Sequence, residues 1–254
     1  MKNKAKYFLM TTKILSGLLI AILFTLCSCD YVNVPIPQTN VGDTASCPTY
    51  TFSPSSGIVK KILIEDYTGQ GCKNCPTAAR ELHVIDSINP GRIIGLGVHV
   101  SDFANPNSPP AGAPVGSYTV DFRTDEGDIY DAQNAFYISI AGLPKGMLSR
   151  KDYNATTYTH RKNWWTWQSS ATTYLAETAD VELKIINDYD NIAKKLCTSV
   201  YTRFINPQSG IYNLVVLLVQ DSIVNWQLDG STHVPNYLHR HVLRDAINSA
   251  WGDQ

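Results

Sequence analysis

The stretch Lys61-Ile-Leu-Ile-Glu-Asp-Tyr-Thr-Gly-Gln-Gly-Cys72-Lys-Asn-Cys75-Pro76 decides the reading of this chain. A run of apolar residues passes through a glycine-rich turn into a C-x-x-C, and Pro76 follows where a helix can begin, since the first helical turn has no use for its missing N–H. A helix N-terminus carries roughly half a unit of positive charge on its unsatisfied N–H groups, which favours a thiolate on the first cysteine. The sequence therefore predicts an exposed, acidic Cys72 and an inner Cys75 one turn further on. Redox activity, a structural disulfide and a zinc site all remain compatible with the pair, with redox activity favoured by the helix-start context.

Working outward, Lys60 to Tyr67 reads as a strand with consecutive apolar residues, Ile62-Leu-Ile64, as expected for a strand covered on both faces. Ala78, Leu82, Ile85 and Ile88 form a helical stripe that ends at Asn89-Pro90-Gly91. Arg92 to Val100 reads as a second buried strand, making a parallel β-α-β unit with the first. Ser101 to Gly127 holds Pro106, Pro109, Pro110 and Pro114 and is too long for a simple connection, so it is expected to be an insertion or lid. Asp128 to Ile140 has helical character and stops at Ala141-Gly142-Leu143-Pro144. Met147 and Leu148 fall in a strand, and Trp164, Trp167, Ala171, Tyr174 and Leu175 mark a closing amphipathic helix whose tryptophans pack in the core. By strand alternation Ile62, Ile64 and Asp66 share a face, which puts Asp66 either under the C-x-x-C helix as a proton acceptor or in a solvated turn.

The N-terminus indicates a compartment. Lys2, Lys4, Lys6 and Lys13 precede an apolar run, Ile14 to Leu26, that spans only about 20 Å as a helix, short of a bilayer core of about 30 Å. Residues 1–28 therefore read as a signal peptide. Leu26-Cys27-Ser28-Cys29 resembles the lipobox of bacterial lipoproteins, with Cys29 as the lipidated, palmitate-bearing N-terminus and residues 29–58 as a Pro/Thr/Ser/Gly-rich spacer. The mature chain is then expected outside the cytosol, anchored to a membrane by lipid. Of the six cysteines, Cys47 and Cys197 are left over; an oxidising compartment would pair them as a structural disulfide, the alternative being a free, buried Cys197. With 21 basic and 22 acidic residues, no electrostatic footprint for nucleic acid appears.

Beyond residue 178, Val181–Ile186 and Thr198–Phe204 alternate, Ile211–Val219 is a longer apolar run, and turns fall at 187–188 and 207–210. A small sandwich-like sheet over residues 179–254 is expected, a binding surface more than a catalytic one. His239 and His241 are half of a metal site at most, with no third ligand in register, so neither metal nor cofactor is expected.

Residues 59–178 resemble the thioredoxin fold. In that family an acidic residue lies six positions before the nucleophilic cysteine, as Asp66 does before Cys72, and a cis-proline faces the C-x-x-C, which Pro144 matches. Ile64-Glu-Asp-Tyr-Thr-Gly69, Leu143-Pro-Lys-Gly-Met-Leu-Ser-Arg150 and Tyr237-Leu-His-Arg-His-Val-Leu-Arg244 narrow this. They resemble the outer-membrane-protein-28-related lipoproteins of Gram-negative bacteria, described as surface antigens or adhesins. The resemblance implies an α/β, thioredoxin-like domain with an inserted loop and a β-rich C-terminal domain. It also implies an outer-membrane location, at the periplasmic face or the cell surface, and further strands beyond Trp251–Gln254, which makes this chain a shortened member. Two functions follow as expectations. One is thiol-disulfide exchange through Cys72, Cys75, Asp66 and Pro144 with a protein thiol or disulfide partner; the other is a binding lipoprotein or adhesin on a non-catalytic scaffold.

Overall fold

The computed structural model describes residues 50–52 and 57–254; residues 1–28, expected to be a signal peptide, and Cys29 and Cys47 lie outside the described residues. Strand β1 (Ile62–Thr68) leads through the C-x-x-C turn into helix α1 (Cys75–Ile88) and then strand β2 (Ile93–His99). β1 and β2 run parallel, with Ile62 opposite Ile93 and Asp66 opposite Gly97. The long insertion follows, holding only one short helical turn at Asp102–Ala104 before helix α2 (Asp125–Asp131). Thr124 caps α2 by accepting the Gly127 N–H at 3.0 Å, which starts the helix earlier than its apolar pattern suggests. After a second short turn at Ser139–Ala141 come strands β3 (Lys145–Leu148) and β4 (Lys162–Asn163) and helix α3 (Trp167–Leu175).

β3 is antiparallel to β1, with Asp66 opposite Gly146. Here glycine is required by space, because a Cβ on Gly146 would lie 2.5 Å from both the Glu65 carbonyl oxygen and the Trp167 ring. Trp167 itself is fully buried, and truncating such a side chain to alanine removes about 3–5 kcal/mol.

Both faces of β1 are covered, which is why Ile62, Leu63 and Ile64 follow one another as apolar residues. On one face Ile62 and Ile64 pack with Ala78, Leu82 and Ile85 of α1 and Trp167, Ala171 and Leu175 of α3. On the other, Tyr67 packs with Leu96, Val98, Tyr130, Phe136 and Leu243. Ile88, expected on the buried stripe of α1, is 55% exposed, since the helix ends there.

The C-terminal region departs from expectation. Among the described residues, strands β5 (Val181–Asp190) and β6 (Lys195–Phe204) pair only with each other, and β8 (Ile223–Asp229) and β9 (Thr232–His239) form a second hairpin. Strands β7 (Leu217–Gln220) and β10 (Val242–Ala246) instead extend the first sheet, whose order is β4-β3-β1-β2-β10-β7. The expected separate sandwich over 179–254 is therefore corrected: Val242 pairs parallel with Gly97, and the Gly97 N–H donates to the His241 carbonyl at 2.7 Å. The exposed edge of β2 could not be left bare, and β10 fills it. Thr49–Ile186 and Ser199–Gln254 form one compact unit. Within residues 187–198, which group apart from it, β5 runs on through the expected turn, and the chain reverses at Asp190, whose carboxylate accepts the Ile192 and Ala193 N–H groups.

Candidate functional site

Cys72 and Cys75 are joined in a disulfide, with Cα atoms 5.4 Å apart. Cys75 opens α1 and Cys72 sits in the turn before it, where the Cys72 N–H donates to the Gly69 carbonyl and the Cys75 N–H to the Cys72 carbonyl. Pro76 stands in the first helical turn, as the sequence suggests, and Cys72 lies outside it. Neither sulfur is open to solvent: both cysteines are 2% exposed, against the expectation of an exposed Cys72.

Two segments from elsewhere in the chain cover Cys72. The insertion docks through Phe103, whose carbonyl accepts the Gly71 N–H at 2.8 Å. This approach needs a glycine at position 69, because a Cβ there would lie 2.6 Å from the same carbonyl oxygen. From the other side, the β8–β9 hairpin bonds to the turn through the Leu228 N–H to the Gln70 carbonyl and the Gly230 N–H to the Lys73 carbonyl, at 2.8 and 2.9 Å. Arg80 of α1 pairs with Asp229 at 2.9 Å. What remains beside Cys72 is a cavity of about 410 Å³, walled by Phe103, Pro109, Pro110, Leu143 and Leu228. The Leu143–Pro144 bond is cis.

Asp66 is 4% exposed, so the solvated-turn reading is excluded. Its Oδ1 has no hydrogen-bond partner among the described residues, and burial holds its carboxyl well above the usual carboxylate range. It lines a second cavity, of about 490 Å³, together with Cys75, His99, Tyr237 and His239. Burial, aided by the Asp66 charge, pushes the Tyr237 hydroxyl up to about 12. His99 and His239, with rings 5.7 Å apart, are held neutral. Burial pulls His99 down to about 3, with His239 adding to the effect, and pulls His239 down to about 4.

His239 and His241 do not converge. His239 Nε2 lies 3.2 Å from the Trp226 carbonyl, while His241 Nδ1 is 3.7 Å from Asp221. Among the described residues no three His, Cys, Asp or Glu side chains are grouped to hold a metal. Cys197 takes part in a disulfide; Cys47 lies outside the described residues.

Sequence reasoning missed Gln227 and Tyr237, which reach the site only because the β8–β9 hairpin folds back on it, and His99, which stands at the end of β2 opposite Thr68 of β1. No local pattern marks them. The one available signal was the third phrase of the resemblance, which contains Tyr237 and His239.

A mixed α/β protein with a disulfide at a helix start and a buried carboxyl behind it is the class that fold and site define. Residues 131–254 match the family described as outer membrane protein Omp28, and the resemblance to Omp28-related proteins is thereby shown. That match takes in Pro144, Arg150 and the β8–β9 hairpin but not Cys72 or Cys75. Among solved structures, HBP35 of Porphyromonas gingivalis is similar with a TM-score of 0.53 at 14% identity, over 78% of this chain and 60% of that one. A structural-genomics protein from Agrobacterium tumefaciens aligns over 75% of this chain and 73% of its own, at 16% identity and a TM-score of 0.39. No curated protein matches.

Proposed function

We propose that this chain is an extracytoplasmic lipoprotein, held at the outer membrane through Cys29, whose thioredoxin-like body performs thiol-disulfide exchange at Cys72–Cys75. The observation that carries the reading is the buried Asp66, whose Oδ1 has no hydrogen-bond partner among the described residues, lining the same cavity as Cys75, because a carboxyl of raised pKa exchanges protons with a thiol more readily than an ordinary one does. The β1-α1-β2 unit, antiparallel β3 and α3 on the α1 face support the thioredoxin-like assignment.

The reaction balances without any further group. A partner dithiol, as thiolate, attacks Cys72 Sγ; the Cys72–Cys75 bond breaks, and Cys75 leaves as a thiolate that takes the proton held by Asp66. The partner's second thiol gives its proton to water and, as a thiolate, attacks the partner's first sulfur in the mixed disulfide, expelling Cys72 as a thiolate. The partner ends oxidised to a disulfide and the pair reduced; in reverse, Asp66 accepts the Cys75 proton. Replacing Cys75 with Ser should capture partner proteins on Cys72, and Cys72→Ser should capture none; equal capture by both would refute the assignment.

A second reading is a surface binding lipoprotein or adhesin that keeps the fold without the chemistry. Its support is the burial of Cys72 under the insertion and the hairpin. If the reduced protein fails to react with iodoacetamide and neither variant captures a partner, this reading replaces the first.

Anchoring and the Cys47–Cys197 staple are parts of the same proposal. Metabolic labelling with a fatty acid should mark the wild-type chain and not Cys29→Ala, and non-reducing peptide mapping should recover Cys47 joined to Cys197. An unlabelled wild type, or a free Cys47, would remove the corresponding part.

A further inference from the structure

The C-x-x-C turn is held from outside its own segment. Gln227, in the middle of β8, is 2% exposed. Its side-chain amide donates to the carbonyls of Gly69 and Cys72, each at 3.2 Å, and to that of Leu228 at 3.0 Å. Gly69 and Cys72 are the two ends of the turn that presents Cys72, so one amide ties together both ends of that turn. Gln70 returns the contact, its side-chain amide donating to the Trp226 carbonyl at 3.4 Å.

We infer that Gln227 is a positioning residue for exchange at Cys72–Cys75, fixing the turn so that the two sulfurs stay within bonding reach when the disulfide opens; this rests on the exchange reading. The physical reason is effective concentration. The equilibrium between dithiol and disulfide depends on how tightly the fold holds one thiol beside the other. A turn pinned at Gly69 and Cys72 keeps them close after reduction and so favours the oxidised form. Gln227 touches neither sulfur, and it acts only through the backbone that carries Cys72.

The test equilibrates the full chain, in detergent, with reduced and oxidised glutathione and reads the fraction of Cys72–Cys75 oxidised. Gln227→Met keeps the length of the side chain and removes both donors. Its oxidation equilibrium constant should fall about three- to tenfold, as the loss of one or two hydrogen bonds implies, which makes the pair easier to reduce. Arg80→Ala loosens the same hairpin at its exposed Asp229 contact and should move the constant by less than about twofold. A folded Gln227→Met with a wild-type constant, or Arg80→Ala with an equal shift, overturns the inference. Should Gln227→Met fail to fold, the wild-type chain decides: the side-chain amide proton resonances of Gln227 should shift when the pair is reduced, and unmoved resonances overturn the inference. Failure of the exchange reading looks different, because Cys75→Ser would then capture no partner while the Gln227 shift persisted.

Discussion

Glu65 and Asp66 are consecutive on β1, both buried, and differ in nearly everything else. Glu65, on the face away from α1, is wholly enclosed and receives Arg150. The guanidinium Nε lies 3.2 Å from both carboxylate oxygens, with a further bond at 2.9 Å. Arg150 in turn lies 4.4 Å from the centre of the Tyr130 ring and 5.0 Å from that of Phe136. Asp66, on the face toward α1, has an oxygen with no partner among the described residues and a carboxyl pushed up by burial. A buried carboxylate that is paired, bonded and stacked behaves as scaffold. One left without a partner costs stability, and such groups concentrate where a proton has to move.

The largest effect should come from breaking the paired member. Arg150→Ala leaves a negative charge buried and uncompensated, and urea unfolding should show a loss of about 3–5 kcal/mol. Replacing both partners, Glu65→Met with Arg150→Met, should recover most of it, since an apolar pair of similar volume fits the same space. A loss below about 1 kcal/mol in the single variant would mean that Glu65 and Asp66 are not the opposites described.

Asp66→Asn should do the reverse. Removing an ionisable group from an apolar site leaves stability unchanged or raises it by about 1 kcal/mol. The rate at which dithiothreitol reduces Cys72–Cys75 should drop about a hundredfold, the usual contribution of a positioned proton donor. An unchanged rate would make Asp66 a second scaffold residue and collapse the comparison.

Much of this contrast was legible in the sequence on one side only. Alternation put Asp66 on the face of Ile62 and Ile64, and Pro76, Trp167 and the break at Leu143–Pro144 placed the elements around it. Those are local signals, set by periodicity and backbone chemistry. Glu65 drew no attention because its partner is Arg150, 85 residues away, brought beside it only when β3 pairs with β1. The hairpin over the C-x-x-C went unread for a related reason. β8 and β9 alternate like any strand pair, and nothing in Trp226-Gln227-Leu228 says that their partners are the carbonyls of a turn more than 150 positions earlier. The burial of Cys72 likewise comes from Phe103 and Leu228 and not from its neighbours in sequence.

The last effect, absent at neutral pH, tests the Asp66 face by its histidines. His99 and His239 line the cavity with Asp66, and burial lowers them from an ordinary 6.5 to about 3 and about 4. Below pH 6.5 the unfolded chain therefore binds protons that the folded chain refuses, and stability falls as pH drops through the window from 6.5 to about 4. Asp66 works in the opposite direction. Its raised folded value makes its contribution full below the unfolded carboxylate value and lost as pH rises through the folded one, so it offsets part of the fall. Urea unfolding at pH 7.5, 6.5, 5.5 and 4.5 should show stability level between the first two and declining thereafter, by at most about 1.4 kcal/mol per pH unit for each histidine. His99→Gln removes one of the two proton-refusing groups and should make the decline shallower. In Asp66→Asn the decline should instead be steeper, because the offset is gone. If both substitutions leave the slope as it was, the cavity admits enough water to charge its histidines in the folded state, and the contrast between Asp66 in an apolar cavity and the ion-paired Glu65 fails with it.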